Sequence, residues 1–159
     1  MENETLTFER TSDLDVLSSF SCGVRKIDFI LHSKSEQQSL YSFLKDTNNE
    51  MIVVSYRNAP VALFVCHIQI ESTFKGLALA KQIDILAVKQ ENQRQGIGRK
   101  IIETLTDISK SEGIKYLTVG AYYDNKYSAI GFYEKCGFEP NGRKSNHILQ
   151  MVKRLSEDA

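Results

Sequence analysis

Apolar and polar positions alternate in short runs along much of this chain, and in several segments the period lengthens to that of a helix. Thr5–Arg10 reads as a short first strand, and helical segments follow at Val24–His32 and Ser35–Lys45. The polar run Asp46–Glu50 closes that region as a turn. Met51–Tyr56 and Val61–Glu71 flank Arg57-Asn-Ala-Pro60, the pattern of an antiparallel hairpin. Val61–Cys66 is apolar without a break, which predicts a central strand covered on both faces. A strand over Leu79–Val88, a glycine-bearing turn and a helix over Arg99–Glu112 come next. Ile97, just before that helix, and Ile101, Ile102, Leu105 and Ile108 within it fall on one helical face, and Gly113 supplies the stop. Ile114–Ala121 reads as a strand, and Lys126–Cys136 as a helix ended by Gly137. A last hairpin runs through Phe138–Pro140 and Asn146–Leu155 and turns at Asn141-Gly142. The order β-α-α-β-β-β-α-β-α-β-β implies an α/β protein with a mixed sheet and helices packed on its faces.

Composition narrows the class without naming a function. At 159 residues the chain suits one domain, 1–159, with its own core. Hydrophobic residues make up 42% and charged residues 25%, as in ordinary globular proteins. Lys plus Arg equals Asp plus Glu at 20 each, so no global charge draws the chain to nucleic acid or to an anionic membrane. The start, Met1-Glu-Asn-Glu-Thr5, is acidic and polar rather than a signal sequence, and no apolar run reaches membrane-span length. Cys22, Cys66 and Cys136 are odd in number and widely spaced, matching neither a disulfide framework nor a metal-ligand pattern. Reduced thiols in a cytoplasmic protein, with no metal, are the expectation.

Chemistry first surfaces in Val88-Lys-Gln-Glu-Asn-Gln93-Arg94-Gln95-Gly96-Ile97-Gly98. A polar, glycine-bearing turn between strand and helix leaves backbone N–H groups unpaired at the positive end of the helix dipole, a seat for phosphate or pyrophosphate. Arg94, Arg99 and Lys100 add mobile positive charge. The same arrangement also serves plain α/β packing. No Gly-Lys-Ser/Thr follows, so this is not a P-loop, and the third glycine of a dinucleotide fingerprint is missing. Downstream, Ala129, Phe132, Tyr133 and Cys136 share one helix face. Phe132 reads as core; Tyr133 reads either as core or as a phenol in a cleft, able to give its proton to a departing thiolate.

Gln93-x-x-Gly96-x-Gly98 resembles the acetyl-CoA signature of the GCN5-related N-acetyltransferases, Arg/Gln-x-x-Gly-x-Gly/Ala. Ala129, Tyr133, Gly137 and Phe138 resemble that family's closing motif, Ala-x-x-x-Tyr-x-x-x-Gly-Phe, and the likeness covers Leu79–Leu155. The resemblance implies a central mixed, mostly antiparallel sheet flanked by about four helices, with acetyl-CoA as co-substrate. It implies direct acetyl transfer, in a V-shaped gap between the strands Leu79–Val88 and Ile114–Ala121. Gln93, Arg94, Gln95, Gly96, Ile97, Gly98 and Arg99 would hold the pyrophosphate. Backbone freed by a strand bulge at Leu86, Ala87 and Val88 would hold the pantetheine arm and polarise the thioester. Tyr133 would protonate the leaving thiolate. Asp84 lies near where many relatives place a base for the substrate ammonium, though it also reads as a solvated strand-end carboxylate; Glu71 is a weaker candidate. Many relatives carry a cofactor-contacting asparagine where this chain has Lys126, with Asn125 one place early.

Phe20-Ser-Cys22-Gly23, followed by Ile27-Asp28-Phe29-Ile30, resembles a subgroup that includes toxin-type acetyltransferases acting on aminoacyl-tRNA, normally paired with a ribbon-helix-helix antitoxin. On the residues alone, Arg25 and Asp28 read as solvated helix charges. Zero net charge weighs against a tRNA acceptor, whose binding needs several phosphate contacts. Three readings follow: an N-acetyltransferase on a small amine or protein amino group, a toxin acting on aminoacyl-tRNA, and a non-catalytic acyl-CoA-binding module. An edge strand at the carboxyl end could also pair across a two-fold axis into a homodimer.

Overall fold

A computed structural model of the chain describes residues 5–73 and 76–156, and the acidic start before Thr5 lies outside them. The described residues form a seven-stranded sheet. Its strands are β1 (Thr7–Thr11), β2 (Asn49–Tyr56), β3 (Ala59–Thr73), β4 (Gly76–Val88), β5 (Tyr116–Tyr122), β6 (Glu139–Ser145) and β7 (Ile148–Arg154). The helices are α1 (Arg25–His32), α2 (Lys34–Phe43), α3 (Ile97–Ser111) and α4 (Ile130–Lys135), with short 3-10 turns at Leu14–Ser19 and Gln90–Asn92. Strand order is β1-β2-β3-β4-β5-β7-β6. β1 pairs antiparallel with β2, and β7 pairs antiparallel with both β5 and β6, while β4 and β5 run parallel. A parallel pair cannot be closed by a tight turn, so α3 makes the crossover. The element order is the one the hydrophobic pattern predicts.

The chain divides into two compact units, one of Met1–Cys66 with Ile85–Gly98, the other of His67–Asp84 with Arg99–Ala159. In the first, Leu17, Phe20, Leu31, Leu40, Met51, Leu63, Val65 and Ala87 pack as one apolar cluster. Val61–Cys66 is buried at every position, as a strand covered on both faces must be. The predicted Arg57–Pro60 loop is tighter than its sequence suggests. Arg57 and Asn58 both take positive φ (52° and 64°), the geometry of a two-residue hairpin turn, so Ala59 and Pro60 already belong to β3.

In the second unit, two helices end alike. Gly113 (φ 79°) follows α3, with Ile114 N–H donating to Ser109 C=O at 3.0 Å and Gly113 N–H to Lys110 C=O at 3.1 Å. Gly137 (φ 95°) follows α4, with Phe138 N–H donating to Tyr133 C=O at 3.0 Å and Gly137 N–H to Glu134 C=O at 3.1 Å. Both are Schellman closures, which satisfy the last carbonyls of a helix and need a left-handed residue. Along α3, Ile97, Ile101, Ile102 and Leu105 are buried, but Ile108 is 47% exposed and Ser109 takes the inward place.

Two other expectations are corrected. The helix predicted from Lys126 begins at Ile130, because the Asp124 carboxylate accepts the N–H groups of Lys126 and Tyr127, each at 2.8 Å, and holds that stretch as a turn. The final hairpin does not turn at Asn141-Gly142. Asn141 Oδ1 accepts Arg143 N–H at 2.9 Å, and the pair forms an irregularity inside β6, where register shifts between Pro140 and Lys144. The chain reverses instead after Ser145, where His147 adopts φ 64°. The outer strand at this end of the sheet is therefore β6, and the last strand, β7, is flanked on both sides. Among the described residues, no helix is long and apolar enough to cross a membrane.

Candidate active site

In the first unit the anion-seat turn sits where the sequence places it. Leu86, Ala87 and Val88 are the last residues of β4; Ala87 is in the core, while Leu86 and Val88 are half-buried. Gln90–Asn92 forms the 3-10 turn, and Arg94 and Gly96 both adopt left-handed φ (64° and 80°) before α3 begins at Ile97. A Cβ on Gly96 would meet nothing within 4 Å, so this glycine is there for conformation and leaves the backbone open. The first turn of α3 carries no acidic residue. Arg94 and Gln95 are exposed. These features suit an anion such as pyrophosphate.

Gln93 has an additional task. Its side-chain NH₂ donates to the carbonyl of Cys22 at 2.5 Å and to that of Val88 at 3.0 Å, bracing the turn from within. Gln90 N–H donates to Ser21 C=O at 2.9 Å, and Lys89 Nζ lies 5.0 Å from the Phe20 ring centre. The Phe20–Gly23 motif is thus a scaffold for the turn. Asp28 holds it: its carboxylate accepts Cys22 N–H at 2.8 Å, Gly23 N–H at 3.2 Å and Ser21 Oγ–H at 3.0 Å. Burial pushes this carboxyl up, but those donors outweigh it and hold Asp28 below the usual range. The solvated-charge reading of Asp28 is corrected, since the turn folds back onto it. Burial pushes the Cys22 thiol up to about 11, fitting a packed thiol rather than a nucleophile.

The second unit carries Tyr133, Asp84, Arg99 and Asn125. Tyr133 is buried on α4 at the residue whose carbonyl the Schellman closure captures. Its ring packs edge-on against Phe132 (5.0 Å between centroids) and Phe138 (5.4 Å). The spacing Tyr-x-x-x-Gly-Phe therefore has a local cause: Gly137 turns the chain and Phe138 closes on the ring. Burial, then Tyr127 and Cys136, raise the Tyr133 phenol well above its ordinary value. Arg99 is largely exposed and lies 3.6 Å from Glu103. Asn125 is exposed at the tip of the turn that Asp124 organises.

Asp84 is not a lone strand-end carboxylate. Its Oδ2 lies 2.7 Å from Nδ1 of His67 on β3, with both side chains about three-quarters covered. Burial raises the Asp84 carboxyl, and His67 opposes that rise. Sequence reasoning missed His67; the one available signal was the polar alternation His67-x-Gln69-x-Glu71 continuing an apolar strand. Glu71 accepts Gln69 Nε2–H at 2.8 Å, so its carboxylate is engaged on β3 itself rather than by the Asp84 pair.

Residues 47–140 match the family described as Acetyltransferase (GNAT) domain. Over 68 residues the chain is 31% identical to N-alpha-acetyltransferase 30 of Schizosaccharomyces pombe (strain 972 / ATCC 24843), a match covering 43% of this chain and 45% of that protein, so under half of the relative's length is spanned. An acetyltransferase structure from Thermus thermophilus superposes with a TM-score of 0.74 at 16% identity, over 94% of this chain and 97% of that one. A mutant of the AtaT toxin, bound to the C-terminus of the antitoxin AtaR and acetyl-CoA, superposes with a TM-score of 0.65 at 21% identity, over 92% of each chain. With a family match over more than half of its length and the fold of those structures, this chain belongs to the GNAT acetyltransferase family.

Proposed function

We propose that the chain is an acetyl-CoA-dependent N-acetyltransferase, a single domain over 1–159, that passes acetyl directly to a primary amine of a small molecule or protein. The observation that carries this reading is Tyr133: buried, kept protonated, and with no hydrogen bond to its hydroxyl among the described residues. A buried phenol held so firmly neutral is available to a charge that appears only during reaction. The turn Gln93–Gly98 with Arg99 would hold the pyrophosphate, Leu86–Val88 the pantetheine arm, and Asn125 would add an outer contact. Once neutral, the acceptor nitrogen attacks the thioester carbonyl and the C–S bond breaks. Tyr133 hydrogen-bonds the sulfur as charge builds there and delivers its proton, which the proton shed by the nitrogen on becoming an amide replaces. Asp84 takes the proton that the ammonium must first lose.

Tyr133→Phe keeps the ring packing and removes the donor. Turnover should fall by roughly 100-fold while acetyl-CoA affinity stays within about twofold. Unchanged turnover would remove the general-acid assignment, whereas acetyl-CoA binding with no turnover in the wild type would leave the acyl-CoA-binding module as the better reading.

A second reading, the toxin acting on aminoacyl-tRNA with a ribbon-helix-helix antitoxin, is favoured by Phe20–Asp28 and by the fold shared with AtaT. It predicts growth arrest on expression without a partner, and acetylation of charged tRNA in vitro. A cytoplasmic location and pairing of copies through the β6 edge into a homodimer complete the proposal.

A further inference from the structure

We propose that His67 is the positioning partner of Asp84, the two acting as one proton acceptor for the ammonium of the acceptor substrate. This rests on the acetyltransferase reading and deepens it by adding a residue that neither the sequence motifs nor the family match assigns.

Alternation along the second half of β3 places His67, Gln69 and Glu71 on one face of the sheet. On β4, Gln82 pairs in register with Thr118 of β5, so their side chains share a face. Gln69 Nε2 donates to Glu71 Oε1 at 2.8 Å and to Thr118 Oγ1 at 3.3 Å, and Thr118 Oγ1–H donates to Gln82 Oε1. Three adjacent strands thus present a hydrogen-bonded polar row where sheet interiors are ordinarily apolar, and the His67–Asp84 contact continues it. The other face keeps its burial: Ile83, Leu117 and Val119 are all in the core. A row of this kind suits a polar acceptor, and a carboxylate within it attracts an ammonium.

Imidazole and carboxylate at 2.7 Å form a hydrogen bond that fixes the Asp84 rotamer and stabilises its charged form. Burial alone would raise the carboxyl, and His67 limits that rise. Among the described residues His67 is the one ionisable neighbour that moves Asp84. Glu71, on the same face of β3, is engaged by Gln69, and β5 presents the uncharged Thr118. Lys81, the nearest cation on β4, points to the other face and pairs with Glu112 at 3.0 Å. In the reaction, the ammonium N–H proton passes to the Asp84–His67 pair, and the freed lone pair forms the C–N bond as the C–S bond breaks. The sulfur takes the Tyr133 proton, the second proton lost by the nitrogen as it becomes the amide restores the phenol, and the pair then returns its own proton to solvent.

The test is kcat/KM against pH, by thiol release, for wild type, His67→Gln and Asp84→Asn, with the His67 ring followed by NMR. Removing His67 leaves burial unopposed, so the acid limb of His67→Gln should move up by roughly one pH unit. Its rate should fall by up to about tenfold on the acid side of that limb and recover at higher pH, with acetyl-CoA affinity unchanged. Asp84→Asn should abolish the limb, and in that variant the His67 ring resonances should move as the Nδ1–carboxylate hydrogen bond is lost. A His67→Gln loss uniform across pH, with the limb unmoved, would overturn the proposal, as would His67 ring resonances indifferent to Asp84→Asn. A wild type that releases no thiol with any amine, whatever the NMR result, would instead refute the acetyltransferase reading and the proposal with it.

Discussion

Gln93 spends its carboxamide on two backbone carbonyls, one of them 71 residues away at Cys22. The sequence marks Gln93 as part of an anion turn, but its partner lies in a segment that no local pattern connects to it. Gln93→Ala should weaken acetyl-CoA binding by roughly 5- to 10-fold through loss of two hydrogen bonds that order the turn, with turnover at saturation little changed. Titration calorimetry beside steady-state kinetics separates the two effects, and unaltered affinity would show that the turn needs no brace. Tyr133 is legible as a candidate because a motif carries it, whereas His67 is not, since it is significant only beside Asp84. The upward shift of the Tyr133 phenol has a kinetic consequence. It remains protonated through pH 10, so kcat should show no basic limb there from loss of the acid.

At the scale of elements, hydrophobic period locates the helices and strands but not all of their boundaries. The start of α4 and the place of the last turn depart from the pattern because Asp124 and Asn141 capture nearby N–H groups, an outcome that hydrophobicity does not encode. Gly137, by contrast, is legible as a stop, and the structure gives the reason. Gly137→Ala should destabilise the fold by about 1 kcal/mol, since alanine must hold a φ of 95°, and urea unfolding reads this directly. Asp28 ties the start of α1 to the Ser21–Gly23 turn. Its pKa is lowered on folding, so its contribution is present above the unfolded carboxylate value and is lost as pH falls through the folded one. Asp28→Asn should therefore cost about 1 kcal/mol at pH 7, and the gap to wild type should close as the solution is acidified below about pH 4. A gap independent of pH would show that the carboxylate charge is not what holds the turn.

For the whole molecule, the donor is far more legible than the acceptor. Two short motifs carry the likeness to an acetyl-CoA site, because a pyrophosphate and a thioester would each demand fixed local geometry, on a turn and on a helix. The polar row proposed to meet the acceptor is scattered over β3, β4 and β5, and its joint face exists only once the sheet is built. Zero net charge makes a further whole-molecule statement: kcat/KM for a small amine should change little between low and moderate salt, while a nucleic-acid acceptor should show a steep decline. The most direct measurement of the central claim is acceptor-dependent release of coenzyme A thiol from acetyl-CoA across a panel of small amines, peptide amino termini and charged tRNA. Thiol release well above the acceptor-free rate is expected with at least one of these amines, with acetyl recovered on its nitrogen. Tight acetyl-CoA binding with no thiol released by any of them would contradict it.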